Sequence, residues 1–187
     1  MTPAFAVWIT GLPASGKSTI ASALAREMSS RGVDVAVLES DVLRGVLTPR
    51  ATYTDEDRET FYHALAHVGA LLVTHGVPVI FDATANRRVY RAYARAPIDR
   101  FVEVYVDCPL EVCMARDPKG LYRRATSGEA AAVPGLQSPY EPPDDPDLVV
   151  SGHLEPPEQA AMTIARFLEQ RGYISGSGAP AIPLCRA

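Results

Sequence analysis

Gly11-Leu12-Pro13-Ala14-Ser15-Gly16-Lys17-Ser18, followed by Thr19, is the stretch that decides the architecture. It satisfies GxxxxGK[ST] at every fixed position. An apolar run, Ala4–Thr10 (AFAVWIT), precedes it, and Ser15–Met28 follows with helical composition until Gly32 stops it. In that strand–loop–helix context the pattern has a mechanism. Glycines let the backbone curl until successive N–H groups face phosphate oxygens. The helix starting near Gly16 adds its positive end. Lys17 is expected to reach the β- and γ-phosphates and the Ser18 hydroxyl to ligate Mg²⁺. The expected nucleotide site is therefore Gly11, Pro13, Ala14, Ser15, Gly16, Lys17, Ser18 and Thr19. A loop of this kind implies a nucleoside triphosphate but not what receives the phosphate. The chain has no NKxD tetrapeptide for reading guanine, which argues against a GTPase.

Working outward, strand and helix patterns alternate. Val33–Leu38, Val77–Phe81, Phe101–Val106 and the short Leu148–Val150 read as further strands. Asp55–His75, Arg87–Arg95, Leu110–Arg116 and Pro157–Arg171 read as helices, the last with prolines where a first turn tolerates them. This order predicts an α/β fold, a parallel sheet of about five strands with helices on both faces. Two stretches break the alternation. Asp117–Asp147 is rich in Gly, Pro and charge, and a stretch that long in a compact domain is expected to be a lid. Ile174–Ala187 reads as a flexible tail, leaving residues 1–173 as a single domain.

The chain has 187 residues, enough for one domain with a real core. With 47% hydrophobic and 21% charged residues it falls outside the disordered and coiled-coil classes. A net charge of -4 argues against a nucleic-acid binder, which carries a basic surface. No apolar run approaches the roughly 20 residues a membrane span needs, and the N-terminus lacks the basic start of a secretion signal. Three cysteines without a CxxC pair (Cys108, Cys113, Cys185) fit a reducing compartment. The expectation is a soluble, cytoplasmic protein.

Acidic residues stand where strands end. Asp41 follows the second strand, placed to take a proton from an acceptor hydroxyl or to hold Mg²⁺ through water. A helix-capping role is compatible with either. Arg44, three residues on, suits an anionic substrate. Asp82 ends the third strand and is a second candidate for base or metal shell, whereas Asp107 reads as structural. Arg87, Arg88, Arg91 and Arg95 recur at near-helical spacing and read first as a solvated basic face, with contact to an anion as the alternative. Arg116, Lys119, Arg123 and Arg124 open the lid segment with cations that can close over developing charge. His63 and His67 lack an acidic partner, so no metal site is expected there. Cys108, Cys113 and Trp8 read as core.

The order of these motifs resembles the adenylylsulfate (APS) kinases. The likeness runs from WITGLPASGKSTIA through the ESDVLR segment, Asp57-Arg58-Glu59 and EVYVDCPLEVC…RDPKGLY to PYEPPDDPDLVV. It covers roughly Phe5 to Phe167. It implies a P-loop kinase fold, MgATP as donor, commonly a homodimer, and phosphorylation of the 3′-hydroxyl of APS to PAPS in sulfate assimilation. Arg116 and Lys119 match the lid's nucleotide and phosphate contacts. Asp41 and Arg44 match the DxxR element that works on acceptor and metal.

The acceptor half departs from the family pattern. Thr52-Tyr53-Thr54 replaces GFS, whose aromatic packs on the APS adenine; Tyr53 can still stack. Arg58 of the DRxENxRR element remains, but its Asn and paired Arg give way to Phe61-Tyr62-His63. ISPYR becomes Thr84-Ala85-Asn86-Arg87-Arg88, and FTGI becomes Val133-Pro134-Gly135-Leu136. A lost stacking face is worth roughly 1–3 kcal/mol. The expected acceptor contacts are Asp41, Arg44, Tyr53, Arg58 and Lys119. Three readings follow: an APS kinase with a divergent pocket, a kinase of the same build for another nucleotide or hydroxylated or amino-bearing metabolite, or an inactive ATP-binding module.

Overall fold

The computed structural model describes residues 4–49, 53–130 and 132–176. Thr52, Cys185 and the greater part of the expected tail lie outside them. Five parallel strands form one sheet in the order β2-β3-β1-β4-β5. They are β1 (Ala6–Thr10), β2 (Ala36–Glu39), β3 (Val79–Asp82), β4 (Phe101–Asp107) and β5 (Leu148–Ser151). The helices are α1 (Lys17–Ser30), α2 (Ser40–Leu47), α3 (Asp55–Thr74), α4 (Arg88–Arg95), α5 (Leu110–Arg116), α6 (Leu121–Thr126) and α7 (Pro157–Gln170).

Strand β1 is buried throughout, and apolar up to Thr10, because both of its faces are covered. Phe5, Val7 and Ile9 pack with α1 and α7 on one side, together with Val102, Val104 and Ile164. Ala6 and Trp8 pack on the other with Phe61 and Leu65 of α3, Tyr90 of α4 and Phe81 of β3. Trp8 is fully buried, stacks on Phe81 at 4.5 Å between ring centroids and donates its indole N–H to the Ala83 carbonyl. Helix α3 starts where Thr54 accepts a hydrogen bond from the Asp57 N–H, with Asp55, Glu56 and Asp57 in its positive first turn. Pro157 opens α7, a position with no N–H to lose.

Several sequence expectations change. The helix that Asp41 was expected to be able to cap runs Ser40–Leu47, but Asp41 lies in its first turn and the capping position is Glu39. The segment Asp117–Asp147 holds α6, begun by Gly120 at φ 62 and by the Asp117 carboxylate, which accepts from the Tyr122 and Arg123 N–H groups. Arg91 does not belong to a solvated basic face. It is 2% exposed, pairs with Glu103 of β4 at 2.6 Å and donates to the carbonyls of Ala85 and Glu141. Arg87 is half-buried and Arg88 and Arg95 are exposed; they engage Asp55, Asp144, and Glu103 with Asp147, respectively. Ile174, expected in the tail, is 8% exposed and joins the α1–α7 core.

Candidate active site

The phosphate loop is built at the carboxyl end of β1. A Cβ on Gly11 would lie 2.7 Å from the Val106 carbonyl oxygen, so only glycine lets the loop pass β4. Gly16 stands at φ 107 as the residue before α1, and no side chain caps that helix. Its first N–H groups are thus left to a ligand. Lys17 lies back along the loop and donates to the Leu12 carbonyl at 2.8 Å. Burial pushes its pKa below the ordinary 10.5, against the opposing pull of Asp82 and Asp41.

The sheet register carries the acids to the same place. Asp82 sits opposite Ile9 of β1 on one side and Glu39 of β2 on the other. A cavity of about 160 Å³ gathers Lys17, Ser18, Asp41, Asp82, Asp117 and Lys119. Lys119 pairs with Asp41, and that hydrogen bond raises the Lys119 pKa. Asp82 is 6% exposed, and its carboxylate has neither a hydrogen bond nor an ion pair with any described residue. A buried carboxylate left so, beside the Ser18 hydroxyl, is a donor set of hard oxygens that fits Mg²⁺. Among the described residues, no cluster of three or more His, Cys, Asp or Glu forms an all-protein metal cage.

A second cavity, about 360 Å³, shares Ser40, Asp41 and Leu121 with the first. Two buried arginines line it. Arg44 is 8% exposed, its guanidinium carbon 3.8 Å from the Phe61 ring centroid and 5.2 Å from that of Tyr53. Its Nη1 is buried without an acceptor. Arg58 is 6% exposed and donates to the Tyr53 carbonyl, to Asn86 Oδ1 and to the Ala132 carbonyl, at 3.2, 3.2 and 2.7 Å. Tyr53 is half exposed and sits at φ 59, a left-handed conformation costly for an aromatic residue. On the far side of the loop a cavity of about 300 Å³ collects Gly16, Thr19, Arg116, Pro118, Gly152 and Pro157. Arg116 is held there by a 2.7 Å bond to the Gly152 carbonyl. Helix α6 is tied to the loop by the Tyr122 hydroxyl, which donates to the Pro13 carbonyl.

Residues 3–151 match the family model described as adenylylsulphate kinase. The chain belongs to that family. An adenylyl-sulfate kinase of Microcystis aeruginosa is 40% identical over 168 residues, covering 90% of this chain and 93% of the relative. A probable adenylyl-sulfate kinase of Archaeoglobus fulgidus is 40% identical over 146 residues, 78% of this chain and 94% of the relative. Among solved structures, the Mycobacterium tuberculosis APS kinase CysC in complex with AMPPNP and APS superposes with a TM-score of 0.86 at 35% identity. That match covers 90% of this chain and 99% of that one. As a member of the APS kinase family, the protein is a P-loop phosphotransferase, and ATP is the family's phosphate donor.

The structure brings Lys17, Ser18, Asp41, Asp82 and Lys119 into one cavity, and Asp41, Arg44, Tyr53 and Arg58 into the adjoining one. Gly11 and Ser15 line neither; they shape the loop. Arg91 and Arg95 are drawn into ion pairs away from these cavities. His63 packs its ring on Tyr93. Burial raises the Cys113 thiol to about 12, so it is an inert core residue. Arg124, read in the sequence as a cation of the lid segment, lines the second cavity. Sequence reasoning did not single out Tyr62, which also lines it, or Asn86, which holds Arg58. Phe61, counted as a loss of the family's Asn, is the platform under Arg44.

Proposed function

We propose that the protein transfers the γ-phosphate of ATP to the 3′-hydroxyl of APS, giving PAPS. One observation carries this reading. Two buried guanidiniums with no carboxylate partner, and an exposed aromatic ring, line a cavity that opens past Asp41 onto the phosphate loop. Such a cavity asks for a planar group bearing anionic charge. Tyr53 offers its face to the adenine, and Arg44 and Arg58 offer charge to the phosphosulfate.

The residues divide the work of phosphoryl transfer, which is mainly positioning and charge stabilisation. The loop N–H groups and Lys17 hold the β- and γ-phosphates. Arg116 faces the nucleotide from the far cavity. Asp41, where the two cavities meet, accepts the proton of the attacking hydroxyl. Its present partner Lys119 then turns to the transferred phosphoryl group. Ser18 and Asp82, with Asp41 through water, are the residues that would hold Mg²⁺, whose chemistry is neutralisation of charge on the phosphates. The segment 117–147 acts as the lid of the single domain 1–173. A homodimer is part of the same reading and rests on the family likeness alone, whereas a cytoplasmic location rests on the cysteine usage. Among the described residues no helix is long and apolar enough to cross a membrane.

The test is incubation with MgATP and APS, followed by mass spectrometry. PAPS formed at micromolar APS is the expected result. Absence of PAPS from protein shown separately to bind ATP would overturn the assignment and turn the search to other nucleotide and metabolite acceptors.

A further inference from the structure

Asn86 lies just past β3, in the stretch Thr84–Arg88 where the sequence leaves the family pattern. It is 3% exposed and bonded on every side. Its Oδ1 accepts from Arg58 Nη1 at 3.2 Å, and its Nδ2 donates to the Pro139 carbonyl at 3.0 Å. Its own carbonyl accepts the Glu141 N–H at 2.7 Å. The preceding residue is held as firmly. Ala85, at φ 40, donates its N–H to the Tyr62 hydroxyl oxygen and accepts from Arg91 at its carbonyl. Arg91 is in turn fixed by Glu103. The amide of Asn86 is therefore a rigid fixture rather than a side chain free to turn.

The chemistry of that fixture matters because of what Arg58 lacks. A guanidinium has five N–H donors. Arg58 gives three bonds to chain acceptors, and all three acceptors are neutral: two carbonyls and one amide. Its neighbour Arg44 has an aromatic ring beneath it and an unpartnered Nη1. Glu129 and Asp41 also line the cavity, but neither pairs with these arginines. Elsewhere the chain treats buried arginine differently. Arg91, equally enclosed, receives a carboxylate. A buried guanidinium held only by neutral groups is held in place with its charge uncompensated, and it costs desolvation that a ligand can recover.

We propose that Asn86 is a positioning and specificity residue of the acceptor pocket: its neutral amide orients Arg58 without cancelling its charge, so that Arg58 and Arg44 together select an acceptor bearing a strong anion. The proposal rests on the reading of this cavity as the acceptor site. It distinguishes Asn86 from a merely structural bridge, because an aspartate there would keep the bond from Arg58, give up the one to the Pro139 carbonyl, and remove the selectivity.

The test compares Asn86→Asp and Asn86→Ala with the unaltered enzyme. Asn86→Asp retains an oxygen for Arg58 and adds a charge to it. Its expected phenotype is a folded protein, an unchanged KM for ATP, and an acceptor KM raised at least tenfold. Asn86→Ala loosens Arg58 without neutralising it, so its acceptor KM rises less than that of Asn86→Asp while its melting temperature falls more. A purely structural role predicts the reverse order in KM, with the variant that loses more stability also the one that loses more acceptor affinity. In parallel, each protein is titrated with inorganic sulfate under saturating MgADP and read by thermal shift. Asn86→Asp is expected to weaken apparent sulfate affinity at least fivefold. Equal sulfate affinity in the two proteins would overturn the proposal whether or not APS is turned over. Absence of PAPS from the unaltered enzyme, with the sulfate difference intact, would overturn only the assignment of APS.

Discussion

Asp41 and Asp82 carry the same functional group but meet different surroundings. Asp82 is sunk beside Lys17 at the end of β3, while the Asp41 carboxylate is largely exposed where the two cavities join. Only the exposed one can reach a hydroxyl presented from the acceptor side. Asp41→Asn is therefore expected to lower kcat by about 10²–10⁴-fold, the range of a positioned base, with the KM for ATP little changed. Steady-state kinetics with MgATP and APS check it, and a full-rate variant would move the proton transfer to Asp82. Lys17 supplies a second prediction at this scale. Burial lowers its pKa in the free protein below 10.5. Between the lowered value and 10.5 the folded chain has lost this proton while the unfolded chain still holds it. On this group's account, stability rises with pH through that window. A bound triphosphate favours the ammonium form, so ATP binding in the same window takes up a proton. Calorimetry in buffers of different ionisation heat measures the uptake. It should grow from neutral toward alkaline pH, and zero uptake throughout would mean that the lysine is already charged when ATP arrives.

At the scale of elements, the packing of α3 on the sheet depends on one missing methyl group. A Cβ on Gly69 would fall 2.1 Å from Phe81 Cζ, and Phe81 is wholly buried under Trp8. Alanine improves helix propensity by about 1 kcal/mol. Overpacking a closed core costs about 1–3 kcal/mol, and here the ring has no room to retreat. Gly69→Ala is expected to destabilise, with thermal unfolding lowered by about 2–4 °C per kcal/mol; a raised melting temperature would show that α3 shifts freely. The strand–loop–helix at residues 6–30 was legible in sequence because its pattern is local: apolar residues, then glycines at fixed spacing, then a helix. The pairing of Arg91 with Glu103 was not, because the partners sit on α4 and β4 and spacing along α4 says nothing about β4. Helix α6 escaped because it has six residues, too few for a period, although Gly120 and Asp117 mark its start. The acceptor cavity was half legible. Arg44, Tyr53 and Arg58 could be named, but that neither arginine forms an ion pair with a carboxylate among the described residues is a property of the folded arrangement. On the proposed reading it is what lets an apparently eroded motif serve as an anion site.

Over the whole molecule, charge is unevenly placed. The chain carries 22 acidic and 18 basic residues, a net charge of -4. Yet in the acceptor cavity Arg44, Arg58 and Arg124 stand against Asp41 and Glu129, and Asp41 is already paired with Lys119. The two facts predict opposite salt responses. If net charge governed encounter, the anionic acceptor would be repelled and added salt would speed association. If the local cluster governs, a concave site with low-dielectric walls focuses its field on the approaching anion, and salt slows association. The screening length falls from about 30 Å at 0.01 M to about 8 Å at 0.15 M ionic strength. It thus shrinks from the dimension of the domain to that of the cavity mouth, so encounter is the step most affected. The ion pairs inside the closed site are screened much less. Accordingly kcat/KM for APS should fall several-fold across that range, while kcat at saturating APS changes little. Initial rates at both ionic strengths, with Mg²⁺ and ATP held saturating, decide it. A rise in kcat/KM with salt would mean that the acidic surface outweighs the cleft and that the arginines act only after the acceptor has arrived.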